Sequence, residues 1–87
     1  MSFKFEIKPS LLDKIKKLQK KDSFMFKRLR KKIEEIIQNP EHYKPLRYGM
    51  RGIRRVHLGP FVLIFTINEE EKVVEFLDFD HHDKIYL

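Results

Sequence analysis

Residues 53–67 read IRRVHLGPFVLIFTI, and this stretch decides the fold. Ile53 to Leu58 and Phe61 to Ile67 are rich in β-branched and aromatic residues, and Gly59–Pro60 between them is a turn signal, so the segment predicts two consecutive strands. Alternation in the first strand puts Ile53, Arg55 and His57 on one face, and Arg54, Val56 and Leu58 on the other. The second strand is strongly apolar. Downstream, Asn68 to Glu71 makes another turn, and Lys72 to Phe79 predicts a further strand. The tail DHHDKIYL (80–87) is expected to add a short final strand.

Upstream of the hairpin the period changes. Phe3, Phe5 and Ile7 alternate with Lys4 and Glu6, the pattern of a half-buried strand. Pro9, with Ser10 beside it, marks a helix start. Leu11, Leu12, Ile15 and Leu18 then recur at helical spacing as far as Lys20, with lysines on the opposite face. Asp22 or Ser23 caps a second helix running to about Gln38, with Phe26, Leu29, Ile33, Ile36 and Ile37 as its apolar positions. The Lys20–Asp22 junction is short enough to make the two helices antiparallel neighbours. Asn39–Pro40 ends the second helix, because the residue before a proline avoids helical geometry. Pro40 to Gly52 is left as the one long loop, carrying His42, Tyr43, Lys44, Arg47 and Arg51; long loops in small domains are more often functional than not.

The expected fold is therefore α+β, a single domain over 1–87 in the order β-α-α-β-β-β. A helical hairpin packs on one face of a small, antiparallel-rich sheet and leaves the other face for a partner. The 87 residues are one domain's worth, and eight Phe and three Tyr supply bulk for its core. The lack of Cys excludes a disulfide framework, a thiolate nucleophile and a cysteine zinc site. No apolar run reaches the roughly 18 residues that span a membrane, so a soluble, cytoplasmic protein without a membrane partner is expected. Nineteen Lys and Arg against 13 Asp and Glu give a net charge of +6, which favours a polyanionic partner.

In this order of elements the chain resembles the RelE/ParE toxin superfamily, over about Phe3 to Tyr86. The similar segments are Asn39–Pro40, then Lys44–Pro45–Leu46 and Gly49, then the strand–turn–strand from Arg54 to Phe65. The last is His81-His82-Asp83-Lys84-Ile85-Tyr86, which is similar to the family's closing H-R-x-x-V-Y. The resemblance implies a RelE-like microbial RNase fold and the toxin role in a type II toxin–antitoxin pair. It also implies a RelB-like antitoxin as partner, expected to be acidic and helical, and the ribosome with its message as target. RelE-like members cleave mRNA in the ribosomal A site; ParE-like members inhibit DNA gyrase without nuclease activity.

RNA can be cut by its own 2′-hydroxyl, so such an enzyme needs neither a nucleophile nor a cofactor. It needs a base, cations for the charge on the phosphorane, and an acid for the departing 5′-oxygen. The resemblance carries two basic family positions onto Arg55 and His57. Arg55 suits bidentate phosphate contact, and an imidazole at His57 suits the base. His82 stands where the family usually has an Arg and is the candidate acid. Tyr86 matches the terminal Tyr and would stack on or orient a nucleotide. Lys44, Arg47, Arg51 and Arg54 are the candidate RNA contacts. Val62 departs from the pattern, standing where many nucleases of this type carry an Arg. Asp80-His81-His82-Asp83 suggests a metal site, but adjacent histidines on a strand point to opposite faces, so no metal is expected. Two other readings stay open: a ParE-like gyrase inhibitor, and a catalytically silent RNA-binding module.

Overall fold

Lys8 is the point where the first strand gives way to the helical hairpin. Its N–H donates to the Phe76 carbonyl at 3.0 Å, and Pro9 opens the helix directly after it. The computed structural model describes residues 2–45 and 52–85. Strand β1 (Lys4–Ile7) leads into α1 (Pro9–Lys21) and α2 (Ser23–Gln38), then a single 3-10 turn at Pro40–His42. Then come β2 (Ile53–Leu58), β3 (Phe61–Asn68), β4 (Val73–His81) and a short helix, α3 (His82–Ile85). The sheet order is β1-β4-β3-β2, antiparallel except that β1 runs parallel to β4.

Asp22 makes the helical junction. Its carboxylate accepts from the Met25 N–H at 3.0 Å, capping α2, while its own N–H closes α1 on the Leu18 carbonyl. The buried stripe of α2 is Met25, Leu29, Ile33 and Ile36. Met25 takes the first core position expected for Phe26, and Phe26 and Ile37 turn half-exposed instead. Leu11 of α1 is fully buried, whereas Leu12 lies at the surface. These side chains meet Leu58, Leu63, Phe65, Val74, Phe76 and Phe79 from the sheet. Phe65 and Phe76 are wholly enclosed and in ring contact at 5.8 Å, each contributing roughly 1.5–3 kcal/mol through burial.

The tail departs from expectation. Asp80 and His81 extend β4, pairing with Val62 and Phe61, but no further strand follows among the described residues. At His82 the ladder partner runs out, because β3 begins at Phe61. The His82 N–H donates instead to the Pro60 carbonyl at 3.0 Å, and the chain curls into α3. No helix among the described residues is long and apolar enough to cross a membrane.

Candidate functional site

Side chains directly opposed across antiparallel strands share a face of the sheet, so the register sorts the candidates. Val56, Leu63 and Phe79 form one row on the helical side, where Leu63 and Phe79 belong to the core. The rows between face away from the helices: His57–Val62–Asp80 and Arg55–Ile64–Asp78. Arg55 and His57 thus share the face expected of them. Arg55 is half-buried and His57 exposed.

That face is not uniformly basic. It grades from a guanidinium and an imidazole on β2, Arg55 and His57, through apolar Val62 and Ile64, to two aspartates on β4. Strands lie about 4.8 Å apart, so the acids stand about 10 Å from the basic strand. Val62 is fully buried.

The aspartates close an open edge. The pairing of β1 with β4 ends at Ile7 and Phe76. Beyond that point the N–H groups of Phe79 and His81 donate to the carboxylates of Asp78 and Asp80, both at 2.8 Å. Lys14 of α1 then bridges the pair, its Nζ 2.7 Å from Asp78 Oδ1 and 2.9 Å from Asp80 Oδ2. The Lys14 hydrogen bond, assisted by the His81 N–H and by the charges of Lys14 and Lys84, outweighs burial and holds Asp80 below the usual carboxylate range. Burial acts to lower the Lys14 pKa, but the hydrogen bonds and charges of both aspartates prevail and raise it. Sequence reading missed this device; the signal was the alternation Asp78-Phe79-Asp80, acids on one face of a strand whose other face is core.

Arg54 turns to the helical side, opposite Val62 and His57. Its Nη1 donates to the Tyr43 carbonyl at 2.7 Å and the Glu41 carbonyl at 3.3 Å. It therefore ties the segment after α2 to β2, which Pro45 and the Lys44 carbonyl extend by pairing with Arg54 and the Arg55 N–H. A guanidinium so engaged, on that side, does not replace the charge missing at Val62. The Lys44 side chain is exposed. Arg47, Arg51 and Tyr86 lie outside the described residues.

His57 also borders a recess of about 320 Å³ with Arg28, Lys31, Lys32 and Glu35 of α2, where Lys32 pairs with Glu35 at 3.1 Å. The fold sets these α2 side chains, distant in sequence, beside the candidate base.

His82 sits at the strand end rather than in either row. Its Nδ1 is 3.3 Å from the carbonyl of Pro60, in the turn before β3 and two residues before Val62, the row partner of His57. Its Nε2 is 2.9 Å from Asp83 Oδ1. Because the strand gives way to helix between His81 and His82, the two rings do not point apart; their centroids are 4.6 Å apart. The premise of opposed histidines therefore does not hold, and His81, His82 and Asp83 offer ligand atoms within 4.8 Å of one another.

On the other side of the molecule, Phe5, Ile7, Ile15, Phe26, Ile33 and Ile37 line an apolar groove of about 350 Å³, with Arg30 and Glu34 at its margin.

Residues 5–86 match the family model described as the ParE toxin of the type II toxin–antitoxin system parDE. The chain is 51% identical over 85 residues to the protein named RelE4 of Methanocaldococcus jannaschii, covering 97% of this chain and 90% of that one. The fold matches the toxin–antitoxin complex RelBE2 of Mycobacterium tuberculosis with a TM-score of 0.79 at 19% identity, covering 94% of this chain and 100% of that one. It matches the isolated RelE toxin of E. coli with a TM-score of 0.78 at 23% identity, covering 92% and 84%.

Proposed function

The chain belongs to the ParE toxin family of type II toxin–antitoxin systems, and from that premise we propose that it is a ribosome-dependent endoribonuclease that needs no metal for cleavage. The observation that carries this reading is the placement of Arg55 and His57 on one solvent-side face of β2, with the cations of α2 beside His57. RNA enters as the phosphate ligand of this basic edge, and Arg28, Lys31, Lys32 and Lys44 hold its backbone.

His57 takes the proton of the 2′-hydroxyl as that oxygen attacks the adjacent phosphorus. Arg55 holds the non-bridging oxygens through two parallel hydrogen bonds as charge grows on them. His82 donates a proton to the departing 5′-oxygen, leaving a cyclic 2′,3′-phosphate upstream and a 5′-hydroxyl downstream. By the family resemblance, Tyr86 is assigned stacking on a flanking base and Arg47 and Arg51 are assigned phosphate contacts. Purified ribosomes carrying a defined message provide the test. New 3′ ends at A-site codons, lost with Arg55→Ala and with His82→Ala, are expected; intact message at full occupancy would remove the nuclease reading.

One observation favours a second reading, a gyrase inhibitor that binds without cutting. Asp78 and Asp80 share the face with Arg55 and His57, and a patch of both signs suits a protein surface better than a phosphate chain. A supercoiling assay separates the two.

The partner in either case is an antitoxin. A structural relative is a toxin–antitoxin complex. Here the apolar groove under Phe5 and Phe26, with Arg30 at its margin on a chain of net charge +6, suits an acidic amphipathic segment.

A further inference from the structure

We propose that His81, His82 and Asp83 form a binding site for one divalent cation of the zinc, nickel or copper class. The case rests on donor identity, spacing and orientation. Two imidazoles and a carboxylate are the donor set that borderline transition metals prefer, whereas magnesium and calcium take oxygen ligands. Ligands bound to one ion at about 2.0–2.2 Å, with angles between square and tetrahedral, stand about 3.0–3.5 Å apart. The Asp83 carboxylate lies against both rings: Oδ1 is 2.9 Å from His82 Nε2 and Oδ2 is 3.4 Å from His81 Nδ1. The three residues offer ligand atoms within 4.8 Å of one another, so side-chain rotation that releases the Asp83 N–H from His81 Nδ1 is what brings them to that spacing.

The surroundings fix the rings. His82 Nδ1 faces the Pro60 carbonyl at 3.3 Å, so a cation that displaces the proton from Nε2, which now faces Asp83 Oδ1 at 2.9 Å, leaves Nδ1–H with an acceptor. A carbonyl behind the non-ligating nitrogen is the usual support for a metal-binding histidine. The His81 ring packs edge-on to Phe61 at 6.0 Å. The three ligands are consecutive and lie at the surface, so water completes the coordination sphere and the site is of the open type.

The site bears on the proposed reaction, and that consequence rests on the nuclease reading above. A cation on His82 Nε2 takes the lone pair that would carry the proton to the 5′-oxygen, so metal-bound protein would be an arrested toxin.

The test is calorimetric titration of zinc chloride into the full-length, untagged chain, beside His81→Ala and Asp83→Asn. Folding of each variant is checked by thermal melting without metal. One zinc per chain, at least tenfold weaker binding in each folded variant, and a zinc-dependent rise in melting temperature in the wild type alone are the expected results. No zinc heat in the wild type, or affinity unchanged in both variants, would overturn the site. The zinc readout stands whether or not RNA is cut. If zinc binds and message stays intact with metal-free protein, only the nuclease reading fails; if cleavage occurs and zinc does not bind, only the metal site fails.

Discussion

His57 and Asp80 stand in one row of the sheet, on opposite sides of Val62. The face that should meet RNA therefore carries its own anions, with an imidazole at one row end and a carboxylate, bridged by Lys14, at the other. Replacing Asp78 and Asp80 by Asn keeps a side-chain acceptor for the Phe79 and His81 N–H groups and removes both charges. RNA affinity should rise several-fold at low salt, with the gain fading as salt screens it. Filter binding of a single-stranded RNA across a salt series reads this; affinity unchanged at low salt would show that the acids lie outside the RNA path.

Arg55 and Arg54 are neighbours in sequence and differ in what they do. Arg55→Ala should lower ribosome-dependent cleavage by about 10²–10³-fold in folded protein, the usual cost of one transition-state donor. Arg54→Ala should act on the fold. It releases the carbonyls of Tyr43 and Glu41, and loss of hydrogen bonds to a charged group costs about 1.5–3 kcal/mol. Urea unfolding of both variants beside the cleavage assay checks the division. An Arg54→Ala chain as stable as the wild type, or a folded Arg55→Ala chain that cleaves at the wild-type rate, would cancel it.

Lys14 predicts an alkaline effect. Its folded pKa is raised above its ordinary value of 10.5, so its contribution is complete below that value and is lost as pH rises through the folded one. The side chain is 41% exposed, so solvent screening limits each ion pair to about 0.2–1 kcal/mol. Lys14→Met should be less stable than wild type at neutral pH, and the gap should close above pH 10.5. Urea midpoints measured at pH 7 and at alkaline pH give the comparison. A gap that widened with alkali would mean that the bridge is not what Lys14 contributes.

The elements were legible because local chemistry and tertiary demand agree in them. Asp22 caps where a helix must start, Pro40 stops where one must end, and Gly59, with its φ of +60°, turns where two β runs meet. The helical stripe was legible to within one position, since Met25 and Phe26 both suit a core and only the crossing of α2 over the sheet chooses between them. The tail was not legible. Whether His82 continues a strand depends on whether β3 extends beyond Phe61 to receive it, a fact about another segment. That same local change brings two histidines together that strand alternation would hold apart. Arg28 beside His57, and Lys14 across Asp78 and Asp80, join residues far apart in the chain, and no local pattern announces them.

Phe5 gives the sharpest handle on the antitoxin. It sits on β1, 47% exposed, edge-on to Phe76 and lining the apolar groove. Its ring is thus partly fixed by the core and partly free for a partner, the condition in which aromatic residues anchor interfaces. Phe5→Glu puts a charge where an acidic, apolar-faced segment would dock, so both burial and electrostatics turn unfavourable. Antitoxin affinity should fall at least tenfold, while ribosome-dependent cleavage, on the far side of the sheet, stays within twofold. In a host producing both proteins the variant should arrest growth where the wild type is silenced. If calorimetry finds full antitoxin affinity in a folded Phe5→Glu chain, the groove is not the docking surface, and the antitoxin must bind elsewhere.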